Sequence, residues 1–414
     1  MIDRVDATDP QTFTLGWKSP FISADAMFAT APTSRLRIMP LPRHLLGAAF
    51  QQDPTTLTQQ PYWTSSYVGL GPFKLAEYVE GSHLLARAND RYALGRPKLD
   101  EVEVRFMADP STIAANILAG TVELTLNSRL DIDWGVQLRD RWKDGHLEAT
   151  QAGNFVGVFP QFIDPNPAIL GNVAFREALM RAVDRQELSD SILAGMASPA
   201  HSLIGPGQPE YAAVDPSVAK FDYDPRQATQ ILDGMGLTKG PDGMYRDAAG
   251  QSLEIEIRAR EGDALQEKMV PAVADFWKRA GINTKQFIFG AQLANDREFR
   301  ATRPAFEVVR QPGGSDALSE YLSTATPSAE NGYRGTNRTR YSSPEFDALI
   351  NRYVRTIPEV ERNQVLAQAI SHMTRNIVVI GLDYSVDSTM IANRLIGPDA
   401  QNPAWNAHEW DVKQ

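Results

Sequence analysis

The chain has 414 residues, 41 Lys and Arg against 51 Asp and Glu for a net charge of −10, 43% hydrophobic residues and no cysteine. The acidic balance argues against nucleic acid as a partner, because phosphate binding needs a basic face, and it favours a soluble monomer; the missing cysteine excludes disulfides, thiol catalysis and cysteine-type zinc sites. The longest apolar candidate, Ile377 to Leu382, falls far short of the ~18 residues of a membrane span, and the length predicts two or three domains of about 150 residues each.

In chain order, the first signal is Asp9-Pro10, a turn pair flanked by the alternating runs Ile2-Val5-Ala7 and Phe13-Leu15-Trp17. This predicts a β-hairpin of half-buried strands. Met1 then lies inside a strand, and the start carries neither the basic nor the apolar region of a signal peptide. Residues 34–50 read as a proline-punctuated link into a short helix. Residues 64–106 read as strands, with a turn at Glu80-Gly81 and with Val102, Val104 and Phe106 on one face. Asp109 is placed to cap a helix, Pro110 suits its first turn and Gly120 its exit. "TVELTLN" (121–127) then reads as a strand, which suggests a βαβ unit.

From Gly171 the pattern becomes more helical. One helix is expected from the cap Asn172 to the stop Gly195, with Phe175, Leu179 and Val183 on its apolar face. Another follows Asp224-Pro225 and ends at Gly236. A hairpin leads into the strand of "LEIEIRAR", and "LQEKMVPAVADFWKRAGI" is an amphipathic helix with Pro271 near its first turn or at a kink. "AFEVVRQPGGSD" is a strand entering a glycine-rich loop. Two further helices and the buried strand "IVVIGLDY" complete the series. Strands alternating with helices define an α/β architecture.

No arrangement of residues amounts to an active site. The six histidines (44, 83, 146, 201, 372 and 408) form no two-histidine metal motif, and no cofactor or metal is expected. "GMGLTKG" closes a helix, whereas a dinucleotide fingerprint must open one. "GGSDA" is a relaxed likeness of a nucleophile elbow, so the enzyme alternative is a hydrolase using Ser315; Pro312 and two glycines make the loop looser than an elbow requires. A glycine-rich turn ending a buried strand is also where an α/β protein meets a ligand. "GTNRTRY" supplies Asn337, Arg338 and Arg340, either a solvated basic loop or a rim of donors. Phe159 and its aromatic neighbours Phe155 and Phe162 are core residues or cleft lining.

Five separated stretches resemble the family-5 extracellular solute-binding proteins, the peptide- and nickel-type substrate-binding proteins of ABC importers. They are "GLGPFKL…YVEGSHLLARANDRYALGRPKLDEVEVRFMADPST", "NVAFREALMRAVDRQEL", "YDPRQATQILDGMG" and "YSSPEFDALI", with "FEVVRQPGGSD" in the position of the family's ligand loop. The resemblance covers about residues 60 to 400. It implies a two-lobed periplasmic binding protein type II fold, with mixed sheets flanked by helices and a double-crossover hinge. Lobe I would be 1–161, including a remnant of its extra subdomain and completed by 386–414; lobe II would be 162–385. The family's signal peptide and first strands find no match, so the resemblance implies an incomplete lobe I lacking a large N-terminal portion.

The implied function is capture of a peptide or similar small solute and its delivery to the permease subunits of an ABC importer, without catalysis. The implied location is the periplasm or a tether at the cell surface. A ligand-reporting partner of a chemoreceptor is the alternative within the binding class. Counting along the ligand loop places Arg310 and Asp316 at the family's cation and amine-anchoring carboxylate, while counting back from "EYL" puts Gly313 at the carboxylate's place. Arg310, Asp316, Asn337, Phe159 and Gly313 are therefore the expected ligand residues.

Overall fold

Five strands form the largest sheet, in the order Asn283–Phe289, Glu254–Arg260, Phe306–Pro312, Asn154–Phe159, Ile380–Tyr384. The first three run parallel; Asn154–Phe159 is antiparallel to both of its neighbours. The computed structural model describes residues 2–26, 40–126, 130–151, 153–247, 249–400 and 404–413. Met1, the 34–39 part of the proline-punctuated link and Asn127 lie outside the described residues.

Ile380–Tyr384 is buried throughout and Asn154–Phe159 at all but its first position, as expected of apolar runs covered on both faces. The outer edge of Ile380–Tyr384 is closed by a bridge from Pro199 to Asp383 and by the Ala200 N–H on Leu382 O. Helix Ala264–Arg279 packs on one face, with Pro271 inside it. Its Trp277 is fully buried, 5.0 Å from the Phe306 ring, and donates its indole N–H to Leu179 O at 3.0 Å. A second cluster holds Phe155, Phe159, Tyr321, Phe346, Ile350 and Leu366, carried in part by helices Pro344–Tyr353 and Glu359–Arg375.

The chain divides into two compact units. One comprises Met1–Arg37 and Gly153–Ser385, the other Ile38–Ala152 and Val386–Gln414. The first boundary therefore falls at 152/153 and not at 161/162, because Asn154–Phe159 is an inner strand of the five-stranded sheet. The N-terminal hairpin, Ile2–Asp9 with Thr12–Trp17, also belongs to the first unit, and the Ile22 N–H bonds Val354 O at 3.0 Å.

The second unit contains an antiparallel sheet of Phe73–Val79, His83–Ala88 and Glu101–Arg105, and a pair formed by Gly145–Thr150 and Asp387–Ala392. Ile113, Ile117, Leu138, Trp142 and Met390 form its core. Asp109 caps Pro110–Leu118 through the Thr112 N–H, as its position before Pro110 predicts. The expected strand 121–127 is reduced, in its described part, to a single bridge from Leu124 to Ile391, so no βαβ unit forms there. Glu101–Arg105 is instead the third strand of an antiparallel meander.

The helix expected over 172–195 is two helices, Val173–Arg181 and Arg185–Ile192. Asp184 accepts the N–H groups of Gln186 and Glu187, so a new N-cap interrupts the run. Among the described residues no helix is long and apolar enough to cross a membrane.

Candidate functional site

Within the first unit, a cavity of about 420 Å³ opens beside strand Phe306–Pro312. Five arginines (297, 300, 303, 310 and 338) line it against two glutamates, 307 and 320. The strand places Glu307 at its floor and Arg310 on its wall. Arg297 and Arg300 come from the short helix Arg297–Ala301, which Asp296 caps through the Phe299 N–H at 3.0 Å. Arg338 comes from the loop after Tyr333.

The floor is a buried charge cluster. Arg258 donates Nε and Nη2 to Glu307 Oε2 at 3.2 and 3.0 Å, and its guanidinium lies 4.5 Å from the Phe299 ring centre and 5.1 Å from that of Phe289. Arg338 Nη1 reaches the other carboxylate oxygen at 3.3 Å. Arg303 gives Nη2 to Phe159 O and Pro160 O at 3.0 and 3.1 Å and Nη1 to Arg338 O at 2.5 Å, while its Nε is buried without a partner. Burial alone pushes the Glu307 carboxyl up, but Arg303, Arg258 and Arg338 outweigh it and hold the group below its ordinary range. Burial pushes Arg303 down to about 9, with Glu307 opposing the shift and Arg258, Arg338 and Arg340 adding to it.

The walls differ in their pairing. Arg310 Nη2 meets Asp263 Oδ2 at 3.2 Å. Arg297 and Arg300 have no ion pair or side-chain hydrogen bond among the described residues. Arg300 is only partly exposed, and burial together with Arg338, Arg260 and Arg258 depresses its pKa against Glu307 alone.

Of the residues expected to meet a ligand, Arg310 lines this cavity. Asp316 sits half-buried in the turn Ser315–Tyr321, outside the cavity lining, where its backbone carbonyl accepts the Ser319 hydroxyl. The other three build the scaffold. Phe159 is 1% exposed and stacks on Tyr321, ring centres 6.5 Å apart at 17°, so it is core and not cleft lining. Gly313 donates its N–H to Gly153 O at 2.6 Å, and a Cβ there would meet Leu203 O at 2.5 Å; its value lies in close backbone packing. Asn337 is fully buried: its amide donates to Tyr341 O and Tyr321 O at 2.8 and 3.1 Å and its Oδ1 accepts the Thr339 hydroxyl at 2.9 Å. Its polar groups are consumed within the loop, which makes it an organiser and not the expected rim donor.

Ser315 donates its hydroxyl to Glu210 Oε1 at 3.0 Å and has no histidine partner among the described residues. A serine–histidine contact occurs elsewhere, Ser343 to His372 Nε2 at 3.3 Å, but Ser343 caps helix Pro344–Tyr353 and the same nitrogen faces the Tyr341 hydroxyl at 2.9 Å. No group of three or more potential metal ligands occurs among the described residues.

The sequence reading missed Arg297, Arg300, Arg258 and Glu307. A signal for Glu307 was present: it interrupts the apolar run of "FEVV", where a buried charge demands a partner, whereas Arg258 sits in the polar alternation of "EIEIRAR" and does not stand out.

The geometry meets a family match. The sequence profile described as Bacterial extracellular solute-binding proteins, family 5 Middle, matches residues 1–319. The chain belongs to this family, whose members are non-catalytic solute-binding proteins. Among its relatives, the oligopeptide-binding protein AppA of Bacillus subtilis is 26% identical over 247 residues, 59% of this chain and 43% of AppA. Heme-binding protein A of Haemophilus influenzae is 24% identical over 318 residues, 76% of this chain and 53% of that protein. The crystal structure of NikZ from Campylobacter jejuni in complex with Ni(L-His) superposes with a TM-score of 0.79 at 20% identity, over 100% of this chain and 79% of NikZ. That likeness shows the fold, mixed α/β sheets flanked by helices. The chain spans about half the length of the curated relatives it matches.

Proposed function

We propose that this chain is the solute-binding part of an ABC importer, working in the periplasm or at the outer face of the cell and passing a peptide or similar small solute to permease subunits. The two-lobed, hinged arrangement of type II binding proteins belongs to this reading. Family membership supports it, and so do the names of relatives, which span oligopeptide, heme and Ni(L-His) binding. The observation that carries it is the polar cavity beside Phe306–Pro312, whose floor is fixed by the buried bonds of Arg303 and Glu307. Rigid placement of donors before a ligand arrives reduces the ordering cost of binding.

In this reading Arg310 exchanges Asp263 for the solute, and Asp316 is the carboxylate for a solute ammonium. Neither rival reading has an observation in its favour: Ser315 is bound to Glu210 and lacks a base, and no feature points to a chemoreceptor. A thermal-shift screen of the chain against di- to pentapeptides and amino-acid metal complexes is the test. At least one class should raise Tm saturably and be recovered chemically unchanged. Consumption of the solute, with loss of that turnover in Ser315→Ala, would overturn the reading.

A further inference from the structure

We propose that the cavity beside Phe306–Pro312 takes a multiply charged oxyanion, a carboxylate or a phosphate, with Arg300 as its principal cation and Arg297 and Arg310 beside it. This rests on the solute-binding reading and names the chemical class that reading leaves open.

The first observation is a local reversal of charge. The chain as a whole is acidic, at −10, yet this cavity carries five arginines against two glutamates. A basic patch on a basic protein is unremarkable; a concave cationic patch on an acidic one is a local potential well for anions. The second is the distribution of counter-charge. Glu307 accepts bonds from Arg258 on one oxygen and from Arg338 on the other, and none from Arg300. Asp263 is spent on Arg310, and the nearby phenol of Tyr333 donates to Glu298 at 2.9 Å. The third is Arg300 itself. It is partly withdrawn from water, lies within electrostatic reach of Arg338, Arg260 and Arg258 as well as of Glu307, and makes no ion pair or hydrogen bond through its guanidinium among the described residues.

Like charges gathered in a concave, partly desolvated place repel, and an anion relieves that repulsion. The planar fork of a guanidinium pairs two oxygens of a carboxylate or phosphate at once. About 420 Å³ is within the range of small-solute pockets.

Calorimetry of the 414-residue chain at low ionic strength, with citrate, inorganic phosphate and an N-acetylated, C-amidated tripeptide without charged side chains, tests the proposal. Citrate or phosphate should bind saturably, and whichever binds tighter identifies the oxyanion. Arg300→Gln should weaken that binding about tenfold or more, while the exposed Arg226→Gln changes nothing. Arg300 has no partner to lose, so its variant should melt like the parent, which separates a binding defect from misfolding. Failure of both anions to saturate, or equal binding by Arg300→Gln, overturns the proposal. Binding of the capped tripeptide alone, equal in parent and Arg300→Gln, also overturns it yet leaves the solute-binding reading standing. An anion that binds through Arg300 but is chemically consumed upholds the site and sinks the solute-binding reading.

Discussion

Arg258 grips Glu307 through two donors on a single carboxylate oxygen, at 3.2 and 3.0 Å, with the two side chains 1% and 6% exposed. The pair ties Glu254–Arg260 to Phe306–Pro312 across the parallel sheet and fixes the cavity floor. A buried pair of this kind is weak evidence of net stabilisation, but removing one partner strands the other.

Glu307→Gln should therefore cost about 3–5 kcal/mol, because Arg258 and Arg303 lose their common counter-charge. The folded-state pKa of Glu307 is depressed, so its contribution is present above the ordinary carboxylate pKa and is lost as pH falls through the lower folded value. Urea unfolding at pH 7 and below pH 4 checks both points: the gap between parent and variant should narrow in acid. An unchanged midpoint at pH 7 would contradict the assigned role.

Asp383 and His201 predict the shape of the stability profile above that range. Asp383 is fully buried, neither carboxyl oxygen has a hydrogen-bond partner, and burial pushes it up to about 8 against the pull of Arg185. Burial and Arg185 push His201 down to about 4. From about pH 4 to 6.5 the unfolded chain binds more protons at His201 and fewer at Asp383, so the two slopes oppose. From about 6.5 to 8 only Asp383 acts, and stability falls as pH rises. Asp383→Asn should abolish that fall and gain roughly 1–3 kcal/mol at pH 8–9. Parallel profiles for parent and variant would refute the account.

Gly313→Ala should destabilise the first unit by about 1–3 kcal/mol, since the added methyl would press on Leu203 O, a backbone atom that cannot swing aside. The thermal midpoint is the readout. A variant as stable as the parent would show that the loop has room.

Amide exchange should be sharply uneven. Ile2–Asp9 beyond its first residue and the first half of Thr12–Trp17 are solvent-exposed in a two-stranded hairpin, while Ile380–Tyr384 is buried at every position. The hairpin should exchange about a thousandfold faster or more. Comparable protection in both segments would mean the hairpin is covered in solution.

Local chemistry made much of the fold legible. Asp109, Asn172 and Asp224 cap the helices that their sequence positions suggest, and the hairpin around Asp9-Pro10 forms, although Ile2–Asp9 is exposed beyond its first residue and not half-buried as its alternation predicts. Where two signals competed, the sequence was ambiguous. Asp184 could ride on a continuous helix or start a new one, and only the bonds to Gln186 and Glu187 decide it. "TVELTLN" alternates like a strand, yet its described residues find just one bridge. The cavity was the least legible part. Arg258, Arg297, Arg310 and Arg338 lie on separate elements, and nothing local to any of them states which shares a carboxylate and which is left without one. Asn337 read as a donor for the opposite reason: a loop amide looks free until the carbonyls of Tyr321 and Tyr341 are seen around it.

The central claim, that the chain holds an intact solute at the arginine-lined cavity, is tested most directly by hydrogen exchange with and without the solute that raises Tm most. The account predicts slowed exchange in Arg297–Ala301 and in residues 333–340, with parent-like exchange there in Arg300→Gln at the same solute concentration. Protection confined to other segments, with these two unchanged at saturation, would contradict it.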